Sequence, residues 1–211
     1  RGVDLLKQPV EICCFAHAVN GGVRINASAA STVPGLYAAG ETAGGPHGAD
    51  RLGGNMMVAC QVFGAIAGTN AAQYAIRHPG RLSGSLRPQT EKDRALLYKN
   101  ADAAALLERL HHCTQRYLLV SRTEAGLQTV LSTVAELQNE LLCAPDTNTL
   151  HIENNALYSQ LFTAKAMAAA ALRRTESRGS HHRADCPEKD QAQEKVFVMN
   201  KFTRLIGCEQ I

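Results

Sequence analysis

The sequence predicts an α/β segment followed by a mainly α helical-bundle domain, and three observations carry that prediction. Residues 33–57, "VPGLYAAGETAGGPHGADRLGGNMM", hold seven glycines beside a short apolar run. Residues 91–143 are almost glycine-free, and their apolar residues recur at helical spacing, as in Leu127, Val130, Val134, Leu137 and Leu141. Between the two lies "RHPGRLSGSLRPQ", residues 77–89, a Pro/Gly/Ser linker and the best domain boundary.

In chain order, residues 9–16, "PVEICCFA", read as a strand: short, apolar and rich in β-tolerant side chains. Asn20-Gly21-Gly22 signals a turn, and "GVRIN" reads as the returning strand. "GLYAA", 35–39, is a third short apolar run. A helix is predicted from Asn55 to Ile76, with Met57, Val58, Val62, Ile66 and Ala67 at helical spacing and Gly64 and Gly68 permitting close packing. Residues 150–178 form another long helix, whose alanine run from Ala164 to Ala171 suits tight packing on a neighbour. Gly179 is expected to break it, and the charges from Glu188 to Lys195 to be solvated. A last strand is predicted at "KVFVM", 195–199. The domain bounds are then 1–80, 81–190 and a tail, 191–211.

Composition narrows the function classes. The chain is 45% hydrophobic and 19% charged, with 5% aromatics and no tryptophan, so its core must rest on Leu, Val and Ala. A net charge of +3 is too mild for a nucleic-acid surface. No stretch approaches the ~18 apolar residues of a membrane span. The seven cysteines are scattered and never form C-x-x-C, which argues against a disulfide framework or zinc ribbon and for reduced thiols in the cytoplasm. A metal site from His181, His182 and Cys186 would lack standard spacing and a fourth ligand, so none is assigned.

The chemistry concentrates in the glycine-rich part. Glycines let backbone N–H groups approach a ligand with no Cβ in the way. Gly53-Gly54-Asn55 enters the predicted helix, where free N–H groups and the positive dipole end favour an anion or an electron-rich carbonyl. The Arg51 guanidinium fork suits a carboxylate bidentately. Glu41 closes a strand and can accept from ligand hydroxyls, while His17, before the Gly-Gly turn, can donate to a carboxylate.

"HAVNGGVRIN", "VPGLYAAGETAGGPHGADRLGGN", "TEAGLQTVLSTVAELQNEL" and "LRRTESRGSHHRADCPEKD" together resemble the flavoprotein subunit of the succinate dehydrogenase and fumarate reductase family, which includes L-aspartate oxidase. The family patterns are His-Tyr-Thr-Met-Gly-Gly, Val-Pro-Gly-Leu-Tyr-Ala-Ala-Gly-Glu, His-Gly-Ala-Asn-Arg-Leu-Gly-Gly-Asn-Ser-Leu and Glu-Ser-Arg-Gly-Ala-His. By that resemblance His17 and Arg51 hold the carboxyl groups of a dicarboxylate, with Gly53 and Gly54 against the substrate. Gly40 and Glu41 match the FAD ribityl or ribose contact, and Asn55, Met56 and Met57 the flavin-facing helix start. The implied reaction moves a hydride between FAD and the substrate's C–C bond.

The family's Gly-x-Gly-x-x-Gly lies upstream of the matched region and has no counterpart here, and the chain starts without Met. The resemblance therefore implies the C-terminal part of a flavoprotein, expected to be inactive without its N-terminal FAD-binding half. It further implies an iron–sulfur electron-transfer partner, at the membrane surface. Asn20 stands where the family has Met, and Asp50 where it has Asn, which points to an altered substrate or a weakened site. Two alternatives stay open: an assembly module with a vestigial flavin site, and an L-aspartate oxidase-like activity.

Overall fold

The computed structural model describes residues 17–79 and 95–199, the backbone of 206–210 and a few positions before residue 11. Most of the strand predicted at 9–16, and most of the linker at 77–89, lie outside the described residues.

The glycine-rich segment is a small α/β unit. β1 (Val23–Arg24) pairs in parallel with β2 (Ala43–Gly44), Val23 opposite Ala43. "GVRIN" thus joins a strand later in the chain. A Cβ on Gly22 would run into the Thr42 carbonyl, so glycine is what lets these two backbones meet. "GLYAA" is not a strand: Tyr37 makes a single bridge to Ala30, and Gly35 turns at φ +84. A Cβ on Gly35 would sit 2.9 Å from the Tyr74 ring, which also packs edge-on against Tyr37.

Tyr74 belongs to α1 (Asn55–Arg77), a helix as predicted in extent but not in packing. None of its residues is buried, and Met57 is 74% exposed. No described atom lies within 4 Å of where a Cβ on Gly64 or Gly68 would sit. The close packing predicted there is absent because, among the described residues, no element covers that face.

The helical part contrasts with this. α2 (Ala103–Tyr117), α3 (Glu124–Cys143) and α4 (Glu153–Arg173) pack on one another around a leucine-rich core. The predicted stripe Leu127, Val130, Val134, Leu137 and Leu141 is fully buried, each side chain contributing about 1.5–3 kcal/mol by leaving water. Ala164, Ala168 and Ala171 let α4 approach closely. Asp102 caps α2 by accepting from the Ala105 N–H, and Thr123 caps α3 by accepting from that of Gly126.

α4 ends at Arg173, ahead of the predicted stop at Gly179, and a cation explains where. Arg183, 1% exposed, donates to the carbonyls of Ala171 (3.1 Å), Leu172 and Arg174 at the negative end of the helix. Its guanidinium also grips Asp185 (2.7 and 2.9 Å), whose other task is to accept from the Glu124 N–H at the positive end of α3. Arg183 holds the Asp185 carboxyl well below the usual carboxylate range. One ion pair therefore joins two helix termini. Next to it, β4 (His182–Arg183) pairs in parallel with β3 (Ser121–Arg122).

The charges of the stretch Glu188–Lys195 are solvated as the sequence suggested, with Glu188, Lys189, Asp190 and Glu194 exposed, but its backbone is tied to the helical part. Glu176 is fully buried and accepts from Arg174 (2.6 Å), Arg178 (2.8 Å) and the Asp190 N–H (2.8 Å). Arg174 also donates to the carbonyls of Gln193 and Lys195. Burial pushes the Glu176 carboxyl up, but the two guanidiniums and the Asp190 N–H outweigh it and lower it to about 2. Beyond, β5 (Lys195–Met199) pairs antiparallel with β6 (Ile206–Gln210), with Arg174 over the Phe197 ring at 4.9 Å. No helix among the described residues is long and apolar enough to cross a membrane.

Candidate functional site

A cavity of about 1160 Å³ opens between the glycine-rich segment and the helical bundle. His17, Arg51 and Gly53 line one wall, together with Asn20 and Asp50. The opposite wall comes from α2 and α4, including His111 and Gln160. Two residues distant in sequence, His17 and Arg51, thus reach one space.

Local geometry explains how they are aimed. Asp50 Oδ1 accepts from the Arg51 backbone N–H at 2.8 Å, and among the described residues the Arg51 guanidinium has no ion pair. The side chain is therefore available to a ligand carboxylate rather than consumed by its neighbour. Just before β2, Glu41 Oε1 accepts from the Val19 N–H at 3.0 Å, which ties the turn containing Glu41 to the backbone just after His17.

The other predicted positions are placed differently. Gly40 and Glu41 sit on a single 3-10 turn, Gly40–Thr42, with Gly40 at φ +77. Gly54 precedes α1 at φ +85, and Asn55, Met56 and Met57 form its first turn. None of these six lines the cavity. The start of α1 has no side-chain cap, and no described atom comes within 4 Å of a Cβ placed on Gly53 or Gly54. Such an open helix N-terminus can receive a flat, electron-rich ring.

Sequence reasoning did not select Arg122 or Ser180, which also line the cavity. Arg122 donates to the Leu118 carbonyl at 2.8 Å and to His181 Nδ1 at 2.9 Å. As acceptor, Nδ1 carries no proton, so the ring is held as the Nε2–H tautomer. Burial first, then the Arg122 charge, pushes His181 down to about 4. Nothing in the local pattern around Arg122 signals this role. Ser180 lies in "ESRGSHH", whose tight turn Arg178–His181 has Gly179 at φ +56 and reaches across to Ala49. A Cβ on Gly179 would sit 2.6 Å from the Ala49 carbonyl.

Comparison with known proteins agrees with this architecture. Residues 7–57 match the family model of an FAD binding domain, which defines the class as a flavoprotein with FAD as its cofactor. Residues 107–202 match that of the fumarate reductase flavoprotein C-term. The chain belongs to the fumarate reductase and succinate dehydrogenase flavoprotein family. It is 34% identical to one of the subunits of the CoM/CoB fumarate reductase of Methanothermobacter marburgensis, over 95% of this chain and 38% of that one. Identity to the L-aspartate oxidase of Mycobacterium leprae is also 34%, over 100% of this chain and 37% of the relative. The quinol fumarate reductase structure from E. coli superposes with a TM-score of 0.80 at 26% identity, covering 99% of this chain and 38% of the other. The chain spans little more than a third of the length of these relatives.

Proposed function

We propose that residues 17–57 supply one wall of the site of an FAD-dependent oxidoreductase that moves a hydride between the flavin and a dicarboxylate. The observation that carries this is the convergence of His17, Arg51 and Gly53 on one cavity beside the open start of α1. Arg51 grips a carboxylate with its fork, and His17 donates to a second carboxylate oxygen, so the acid is held in one orientation. As charge develops on the acid during the reaction, the same two groups stabilise it. Gly53 and Gly54 leave room for a ring against the main chain, and the Met56 N–H belongs to the helix start that faces it, while the Met57 N–H donates to the Gly54 carbonyl. When bound, FAD supplies the hydride chemistry.

The remainder of the pocket falls to sequence corresponding to the relatives' additional length, an N-terminal FAD-binding half. An iron–sulfur electron-transfer protein is the proposed redox partner, since several relatives are named as flavoprotein subunits. The test uses the full-length gene product carrying this chain. It is expected to purify with flavin and to reduce or oxidise a dicarboxylate. Arg51→Ala should lower kcat/KM by roughly a hundredfold or more, and Arg51→Lys by less, since charge survives without the fork. A flavin-free protein, or an Arg51→Ala variant with unchanged kcat/KM, would overturn the proposal.

A further inference from the structure

Three residues that depart from the family's pattern, Asn20, Asp50 and Ser180, meet at one place. They come from three separate segments: the turn after His17, the loop before Arg51 and the "ESRGSHH" turn of the helical module. Asn20 Nδ2 donates to Ser180 Oγ at 3.2 Å and to Asp50 Oδ1 at 3.5 Å. Ser180 Oγ donates in turn to the Ala49 carbonyl at 3.2 Å, and the Ser180 N–H to the same oxygen at 3.3 Å. In the family pattern these positions hold Met, Asn and Ala, which cannot form this cluster. All three line the cavity that holds His17 and Arg51.

The donor and acceptor roles follow from the partners. A carboxylate only accepts, and the Ser180 hydroxyl has spent its proton on Ala49, so Asn20 must turn its NH₂ toward both. That leaves Asn20 Oδ1 pointing away from the pair. Among the described residues, neither it nor Asp50 Oδ2 has a hydrogen-bond partner. The wall beside the two carboxylate-binding groups thus presents acceptors and one negative charge. A dicarboxylate with only carbon and hydrogen between its carboxyl groups gives such a wall nothing to accept, and its own charge is repelled there.

Resting on the function proposed above, we infer that Asn20, Asp50 and Ser180 form a specificity wall. It selects a carboxylic acid that carries a hydrogen-bond donor, a hydroxyl or an ammonium, beside the carbon that reacts. Arg51 and His17 hold the carboxylate, and the donor points to Asp50 Oδ2 and Asn20 Oδ1. Ser180 does not touch the acid. It is a positioning residue, fixing the amide of Asn20 and the loop that bears Asp50.

The experiment is a competition among succinate, its 2-hydroxy derivative and its 2-amino derivative on the full-length, flavin-loaded gene product. Dissociation constants are read from the perturbation of the flavin absorption spectrum. The donor-bearing acids should bind roughly ten- to a hundredfold more tightly than succinate, as hydrogen bonds to a charged group do. The hydroxy and amino arms separate the two sources of the donor, and a larger gain for the amino acid would assign the charge of Asp50 the greater part. Asp50→Asn, which restores the family residue, should collapse that preference while leaving succinate binding equal or tighter. Ser180→Ala should reduce the preference in part, and Ser180→Thr, which keeps the hydroxyl, should retain it; a merely structural Ser180 would shift all three acids alike. A preference for succinate in the unaltered protein, or an acid ratio unmoved by Asp50→Asn, overturns the inference while leaving the proposed function standing. Failure of all three acids to perturb the flavin overturns both.

Discussion

Leu137 on α3 and Met57 on α1 both lie on the apolar stripe of a long helix, yet one is fully buried and the other 74% exposed. The same contrast runs through the two halves of the molecule. α2, α3 and α4 bury one another, Asp102 and Thr123 cap α2 and α3, and Arg183 with Asp185 stitches the end of α4 to the start of α3. The glycine-rich segment holds α1 on one side only, through Tyr74 against Gly35 and Tyr37 and through Asn70 donating to the Ser28 carbonyl at 3.0 Å. A periodic stripe therefore states that something packs there; it does not state that the packing partner lies within these 211 residues. Under the proposed function, the rest of the FAD-binding half covers α1.

The sharpest way to break the comparison is to attack the helical module at its buried charges. Glu176→Ala would leave Arg174 and Arg178, each mostly buried, facing an empty place. Removing one partner of a buried ion pair costs about 3–5 kcal/mol. The midpoint of chemical denaturation of the chain should fall accordingly. A loss under about 1 kcal/mol would mean that water already reaches the cluster, and that the module is less self-contained than its core suggests.

A pair of truncations sharpens it next. Leu137→Ala, in the centre of the buried stripe, should cost about 2–5 kcal/mol through lost burial and the cavity left behind. Val62→Ala, on the uncovered face of α1, should change stability by no more than about 0.5 kcal/mol in this chain. In the full-length gene product the second substitution should become clearly destabilising. Equal costs for Val62→Ala in both contexts would show that α1 stays uncovered.

What the sequence made legible follows the same division. The stripe from Leu127 to Leu141, the alanine face of α4 and the strand at 195–199 are local periodicities, and each appears where its period put it. The pairing of β1 with β2 was not legible, because it joins two short segments across a long loop and depends on Gly22 meeting Thr42. The end of α4 was not legible for a similar reason: its last carbonyls are taken by Arg183, which lies beyond the Gly179 turn. At the site, the residue types of His17 and Arg51 suggested their chemistry. That Asp50 would bind the backbone of Arg51 and not its guanidinium was beyond reach, since sequence adjacency cannot tell which donor a carboxylate will take. Arg122 left no trace, because its position in the cavity is set by the parallel pairing of β3 with β4.

The smallest expected effect tests the seam between the halves. His181 sits beside the Gly179–Ser180 turn that touches Ala49, with Arg122 donating to its Nδ1. Burial and the Arg122 charge lower it to about 4, from an ordinary 6.5. Above pH 6.5 neither the folded nor the unfolded chain carries the proton, and the neutral ring's contribution is fully present. As pH falls from 6.5 toward 4 the unfolded chain takes up a proton that the folded chain refuses, so stability declines across that window. Glu176, lowered from 4.5 to about 2, adds its own loss only below 4.5, so the upper part of the window reports His181. Denaturation midpoints should therefore drift downward on acidification between 6.5 and 4.5. His181→Gln, which cannot titrate, should flatten that drift while leaving the steeper loss at lower pH. A variant with the same slope as the unaltered chain would mean that the ring is reached by water, and that the turn does not seal the helical module against the loop before Arg51.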